Sequence, residues 1–312
     1  MSNINIPHIP VLLNEMLYYL DPKDNEHYLD LTFGAGGYTK AILNKANCFV
    51  TAFDRDNNVL NFATEIQNNY RERFKFINAQ FSRVKEFIEK NSVSGVVVDF
   101  GISSMQVDIA ERGFSFSKKA RLDMRMSDSG ICAYEVINNF SETDLANIIY
   151  EYGGERDSRK IAKYIVEERK IAPIEDTVKL AEIIKRAKKI HYYKIDPATK
   201  TFQALRIFVN NEIGEIKTLL QDLESILKIG AKIVFVSFHE LEDRLIKEYL
   251  RSNEIKKITT SKYNTLFSNE GFYTLLSKKG IRASANEVKM NPRSRSAILR
   301  AALKKRNVNE VI

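Results

Sequence analysis

Between Asp30 and Tyr38 the chain reads DLTFGAGGY, a carboxylate followed closely by Gly34, Gly36 and Gly37. Glycines packed this densely let a backbone come close to a ligand or turn where other residues cannot. Asp54 ends the next apolar run, twenty residues after Gly34, and a carboxylate there can accept from both ribose hydroxyls of a nucleoside. Phe81, in NAQFS, offers a ring that can stack on an adenine. Asp99 closes GVVVDF and puts an acid at the sheet edge where doubly wound folds do their chemistry. A dinucleotide fingerprint requires G-x-G-x-x-G, but Thr39 stands at its third glycine. D-x-T-x-G-x-G-G suits S-adenosylmethionine better: its amino-acid end carries an ammonium that Asp30 can pair with, and the glycine turn leaves room for it. The loop is read as the seat of a nucleoside cofactor.

Such residues must be held by a sheet, and the apolar patterning supplies one. HYLDLTF (27–33), CFVTAFD (48–54), FKFI (74–77) and GVVVDF (95–100) read as strands. Between them lie helical segments to about Lys45, over 57–69 and over 82–90, an alternation that implies right-handed βαβ units and a parallel sheet. The rhythm stops from Gln106 to Lys200. There SETDLANIIYEYG opens with a capping pattern, Ser141 with Asp144, and RDSRKIAKYIVEERK and DTVKLAEIIKRAKK read as two further helices. A long helix over 201–228, a strand AKIVFVSF (231–238), a helix over 241–251 and strands near 256–260 and 272–278 complete the expectation. The fold class is α/β, with residues 1–105 and 201–312 forming a discontinuous sheet domain and 106–200 an inserted all-helical domain for substrate recognition.

The chain has 312 residues, 44% of them apolar and 28% charged, a normal globular mixture. Cys48 and Cys132 lie far apart, and His8, His27, His191 and His239 are scattered. That argues against a disulfide scaffold or a zinc site, and no metal is expected. MSNINIPHIP lacks a signal-peptide pattern and no apolar stretch spans a bilayer, so a cytoplasmic protein without a membrane partner is expected. The net charge of +8 is compatible with a polyanionic partner.

The motifs HIPVLLNEML, DLTFGAGGYT, AFDRD, DFGISS, ERGFSF, LDMRM, TFQALRI, SFHELEDR and NPRSRSAILR run from about residue 8 to residue 300. In them the chain resembles the bacterial ribosomal RNA small subunit methyltransferase H family, which methylates N4 of a cytidine in the decoding region of 16S rRNA. The resemblance implies a class I S-adenosylmethionine-dependent methyltransferase domain, Rossmann-like, with a helical insertion. It implies S-adenosyl-L-methionine as cofactor, and as partner 16S rRNA within the small ribosomal subunit or a late precursor. A homodimer is left open. Carried over by motif, Gly36, Gly37 and Tyr38 contact the cofactor, Asp54 holds its ribose, Phe81 and Asp99 line the adenosyl and methyl region, and Gln106 closes the pocket. The sequence departs from the family's usual residues at Tyr38 and Asp196 (histidine in each case), Met105 (proline) and Glu240 (serine). Gly154 in YGGER, where glutamate is usual, is expected to alter a helix start.

Methylating an exocyclic amine needs its lone pair aligned behind the methyl carbon at about 3 Å. The N4 lone pair of cytosine is delocalised into the ring, and an acceptor for one N4 proton helps localise it and takes the proton as product forms. Asp99 is the candidate catalytic residue. Carbon-5 methylation needs a cysteine to attack C6, and neither Cys48 nor Cys132 lies at a strand end. Arg112, Arg125, Phe114 and Phe116 are the candidate substrate contacts, cations for phosphate and rings for unpaired bases. The competing reading packs these rings internally and pairs Asp123 with Arg125. Two other functions remain: a cofactor-binding, RNA-associated factor without turnover, and a nicotinamide-dependent oxidoreductase resting on the glycine loop and Asp54.

Overall fold

The computed structural model describes residues 10–188, 195–255, 257–261, 264–267 and 271–307; His8, Lys189, His191 and the side chain of Met105 lie outside that description. The strands are β1 (His27–Asp30), β2 (Phe49–Asp54), β3 (Phe74–Asn78), β4 (Val93–Asp99), β5 (Leu227–Ser237), β6 (Lys257–Ser261), β7 (Asn264–Phe267), β8 (Tyr273–Leu275), β9 (Ile281–Arg282) and β10 (Ile298–Lys304). The main sheet runs β3-β2-β1-β4-β5-β10-β8 with β9 beside β10, and β6 pairs with β7 as a separate hairpin. β1 to β5 are parallel neighbours, whereas β10 lies antiparallel to both β5 and β8. The largely parallel sheet is that of the expected α/β class. The chain winds outward from β1 to β3 and returns at β4, so strand direction of travel switches between β1 and β4. Ligands of open α/β sheets bind outside the carboxyl ends of the strands at that switch.

β4 and β5 carry runs of Val, Ile and Phe because both faces of a parallel sheet are covered. Val96, Val98, Ile233 and Phe235 are fully buried and meet Leu29, Phe53, Ile246 and Leu250 in one core. β10 was not expected. Its sequence ILRAALK is rich in helix-favouring residues, but Ala301 and Ala302 are fully buried and its backbone completes the ladders of β5 and β8. Ladder pairing and burial outweigh local preference here.

The chain divides into two compact units, residues 1–101 with 214–312, and residues 102–213. The sequence placed 102–105 and 201–213 with the sheet; they belong to the helical unit. The single helix expected over 201–228 is two, Thr199–Val209 and Glu212–Ile226. The break is at Asn210, whose Nδ2 donates to the Arg206 carbonyl at 2.9 Å and the Met124 carbonyl at 2.7 Å while its Oδ1 accepts from Met126 N–H at 2.7 Å. Phe202, Ala204 and Leu205 join Leu145, Ile149 and Ile161 in a second core. Ser141 caps the helix Glu142–Gly153 as expected, accepting from Asp144 N–H. Gly154 ends that helix rather than starting one, in a left-handed conformation at φ 58° that glycine adopts without a Cβ penalty.

Candidate active site

The turn after β1 passes through Gly34 at φ 53° and Gly36 at φ 75°, conformations open to glycine and costly to other residues. A Cβ on Gly36 would stand 2.3 Å from Ile66 Cδ1 and 2.9 Å from the Phe33 ring, and one on Gly37 would stand 2.4 Å from Pro10. The backbone is thus pressed between Ile66 of the helix Leu60–Tyr70 on one side and Pro10 on the other. Gly34 N–H donates to Asp54 Oδ2 at 2.8 Å, and Asp56 N–H donates to Asp54 Oδ1 at 2.9 Å. Asp54 therefore sets the loop's position, and a carboxylate's remaining lone pairs leave it able to accept from ribose hydroxyls. Burial pushes its carboxyl up to about 6, against those two N–H bonds.

Asp30 does not offer itself to an ammonium as expected. It is fully buried, accepting from the Thr39 hydroxyl at 2.7 Å and from Thr32 N–H at 3.3 Å. Thr39, at the missing third glycine, braces strand to helix. Burial pushes Asp30 up to about 6; the bonds from the two threonines pull it down, and the charge of Asp54 adds to the rise. A Thr39→Val variant leaves a buried carboxylate oxygen without its donor, which costs about 1–3 kcal/mol. Since the folded-state value is raised, the favourable contribution holds below about 4 and fades as pH rises through about 6. Thr39→Val raises it further, so the loss in chemical denaturation is expected to grow above about pH 6 and narrow toward acid. An equal loss at all pH values would remove Asp30 from the account.

At the end of β4, Asp99 N–H donates to the Thr32 hydroxyl at 2.6 Å, tying the fourth strand to the glycine turn. The Asp99 side chain is different. Its Oδ1 is buried and has no hydrogen-bond partner among the described residues. Burial pushes the carboxyl well above the usual carboxylate range, and the charges of Asp30 and Glu242 push it further. An orphaned buried carboxylate oxygen costs free energy unless something arrives to meet it. Glu242 itself is fully buried. It accepts from Phe238 and His239 N–H at 2.9 and 3.3 Å in a capping box that starts the helix Glu240–Ser252. The sequence reading quoted SFHELEDR but gave Glu242 no role; its H-x-x-E spacing was the available signal.

Phe81 opens the turn after β3, half-buried, its ring edge-on to Phe100 at 5.9 Å, next in chain to Asp99. Tyr38 is buried and its hydroxyl donates to the Val11 carbonyl, so it anchors the segment before the helix Leu13–Leu20 against the glycine turn. Asp99 and Asp30 add to burial in pushing the Tyr38 hydroxyl well above its ordinary value. The structure brings together Gly36, Gly37, Tyr38, Asp54, Phe81 and Asp99 at one sheet edge. Acids crowded in this way favour a cationic ligand, which would lower their mutual repulsion. Residues of this kind fit S-adenosylmethionine: glycine backbone for close approach, Asp54 for hydroxyls, acids for the positive end.

In the helical unit, Gln106 is buried and its Oε1 accepts from Ser103 N–H at 3.0 Å. Arg112 donates to the carbonyls of Arg125 and Met126 at 2.9 and 3.1 Å and lies over the Phe114 ring at 5.5 Å. Arg125 forms a two-pronged pair with Asp123, both bonds 2.8 Å. Phe114 is buried and Phe116 packs edge-on against Phe202 at 4.9 Å. These four side chains, expected to touch substrate, have partners within their own unit. Exposed in the same stretch are Lys118, Lys119 and Arg121; the last two line a groove of about 520 Å³ with Tyr134, Glu175 and Asp176. Asp196 accepts from Ala198 N–H at 2.9 Å and pairs with Lys185 at 2.8 Å, which makes it part of a helix start. Among the described residues no helix is long and apolar enough to cross a membrane.

Comparison with known proteins adds to this geometry. The family model described as the MraW methylase family matches residues 5–305. The chain is 51% identical over 299 residues to the ribosomal RNA small subunit methyltransferase H of Rickettsia massiliae, covering 95% of this chain and 97% of that one. It is 49% identical over 301 residues to the protein of that name from Rickettsia bellii, covering 96% and 99%. The Rickettsia felis protein of that name is 50% identical over 300 residues, covering 95% and 98%.

Proposed function

The chain belongs to the MraW methylase family, and from that premise we propose that it methylates N4 of a cytidine in the decoding region of 16S rRNA, in the small subunit or a late precursor. The methyl donor is S-adenosyl-L-methionine, which when bound supplies an electrophilic methyl on a sulfonium. Membership sets aside the nicotinamide reading, as does Thr39, whose hydroxyl occupies the helix–strand contact that a third glycine keeps open in dinucleotide folds.

One observation carries the choice of acceptor: Asp99 Oδ1, buried at the switch point with no partner among the described residues. A cytosine amino group offers two N–H donors, and one of them meets this oxygen. That bond would draw the proton away from the nitrogen and leave electron density on it for the lone pair, and the carboxylate would take the proton as the nitrogen gains the methyl that the donor's sulfonium releases. Thr32 holds the Asp99 backbone in place. Gly36 and Gly37 admit the donor, Asp54 holds its ribose, Phe81 stacks on its adenine, and Tyr38 keeps the loop closed against Val11. A paired or stacked cytidine must be turned out to reach the acid, at a cost of a few kcal/mol. Carbon-5 chemistry has no nucleophile here. Both cysteines are buried; Cys48 precedes β2 at the amino edge, and burial pushes its thiol up, away from the reactive thiolate.

The test incubates the protein with labelled S-adenosylmethionine and unmethylated small subunits, then identifies nucleosides by mass spectrometry. N4-methylcytidine is expected. Label only at carbon 5, or cofactor binding with no transfer to any RNA, would overturn the assignment.

A further inference from the structure

We propose that the segment from β9 to the start of β10 is a cationic rim that holds the phosphate backbone of the RNA substrate beside the active-site crevice. The inference rests on the rRNA reading above and deepens it. From residue 271 to residue 306 the chain carries ten lysines and arginines and one acid, Glu287. Three of those cations are used internally. Arg300 pairs with Asp243 at 2.7 and 2.9 Å, Lys304 with Glu224 at 2.9 Å, and Arg306 donates to the Gly271 carbonyl at 2.6 Å. Arg282, Lys289 and Arg295 are exposed, and no acid among the described residues pairs with them.

Topology puts these three where substrate must pass. β10 runs against β5, with Ile298 opposite Ser237, and β5 runs with β4, with Val236 opposite Asp99. Residues just before Ile298 therefore stand at the same edge as Asp99. These are the turn Pro292–Ser296, carrying Arg295, and the helix Ala285–Met290, carrying Lys289. Arg282 faces Ile298 across the β9–β10 pairing. The segment is moored beside the glycine turn: Glu287 accepts from Leu12 N–H at 2.7 Å, and Pro10–Val11 press on Gly37 and Tyr38. The Glu287 carboxylate accepts at that mooring, while its backbone N–H donates to the Ser284 hydroxyl in the helix cap. A rim of uncompensated, solvated cations at the mouth of a crevice matches a polyphosphate backbone, which positions a strand without reading its bases.

The protein loaded with S-adenosylmethionine is titrated with fluorescent unmethylated small-subunit rRNA at several salt concentrations, wild type against Arg282→Gln/Lys289→Gln/Arg295→Gln. Each phosphate contact on a single strand contributes about 0.7 to the slope of log affinity against log salt. The triple variant is expected to lose about two from that slope, and to raise KM for small subunits about tenfold or more with kcat and cofactor affinity unchanged. Lys45→Gln/Lys90→Gln, exposed at the opposite, amino edge of the sheet, is expected to leave the slope intact. An unchanged slope in the triple variant, or weaker binding with the wild-type slope, overturns the rim. Methyl found somewhere other than cytidine N4 overturns the assignment of the reaction and leaves the slope result standing.

Discussion

Replacing Asp99 by alanine is expected to cut methyl transfer by about 10²-fold or more, the range of a positioned acid–base group, while cofactor affinity stays within about tenfold. The expectation follows from what Asp99 touches. Its backbone N–H is held by Thr32 and would remain so in the variant, so the strand end keeps its place. What is lost is Oδ1, an oxygen that has no partner among the described residues. Removing it breaks no internal hydrogen bond at that atom and relieves the crowding with Asp30 and Glu242 that pushes the carboxyl upward. The variant should fold at least as stably as wild type, which separates a chemical role from a structural one. The pH profile gives the second readout. A carboxyl pushed upward is protonated over a wider range, and only the ionised form accepts the amine's proton. The wild-type single-turnover rate should therefore rise with pH through the raised Asp99 value, and the residual rate of Asp99→Asn should be flat across that interval. Near-normal turnover in Asp99→Ala would show that the amine's acceptor lies elsewhere.

Gly36→Ala is expected to remove measurable cofactor binding and to destabilise the protein by about 2–5 kcal/mol. Two costs combine. At φ 75° a residue with a Cβ pays about 1–2 kcal/mol. The added carbon also falls 2.3 Å from Ile66 Cδ1 and 2.9 Å from the Phe33 ring. Ile66 is fully buried and Phe33 nearly so, so neither can yield freely, and overpacking costs about 1–3 kcal/mol. Relief requires the loop to swing away from the helix Leu60–Tyr70, which carries Gly34 N–H off Asp54. Gly154→Ala isolates the first cost: its φ is also positive but nothing lies within 4 Å of the new carbon. That variant should lose only about 1–2 kcal/mol and bind cofactor normally. The measurements are calorimetric titration with S-adenosylmethionine and denaturant unfolding. Equal behaviour of the two variants would mean that the close approach at Gly36 does not matter.

Much of the sheet was legible because its signals are local. β1 to β5 are continuous apolar runs between glycines and polar turns, and the helices from Glu142 to Lys188 carry caps and apolar spacing that need no partner to be recognised. The last strand was not legible. ILRAALK has the composition of a helix, and only vacant ladder positions on β5 and β8 make it a strand. That unseen reversal is also what places Arg282, Lys289 and Arg295 toward the carboxyl edge of the sheet. The opposite happened to Arg112 and Arg125. Cations amid aromatics read as a nucleic-acid surface, but in the fold their guanidinium groups meet carbonyls and Asp123.

By itself the sequence determined the family, the α/β class and the set of residues at the strand ends, since each depends on residue type and short spacing. Only the tertiary structure decided how those residues are used. Asp30 and Asp99 are the same side chain at the ends of adjacent strands, yet Asp30 is satisfied by two threonines and Asp99 keeps an oxygen unmet. Whether a carboxylate braces a fold or awaits a ligand depends on which donors reach it. Donors are brought by neighbours distant in the chain, and no local pattern encodes their positions.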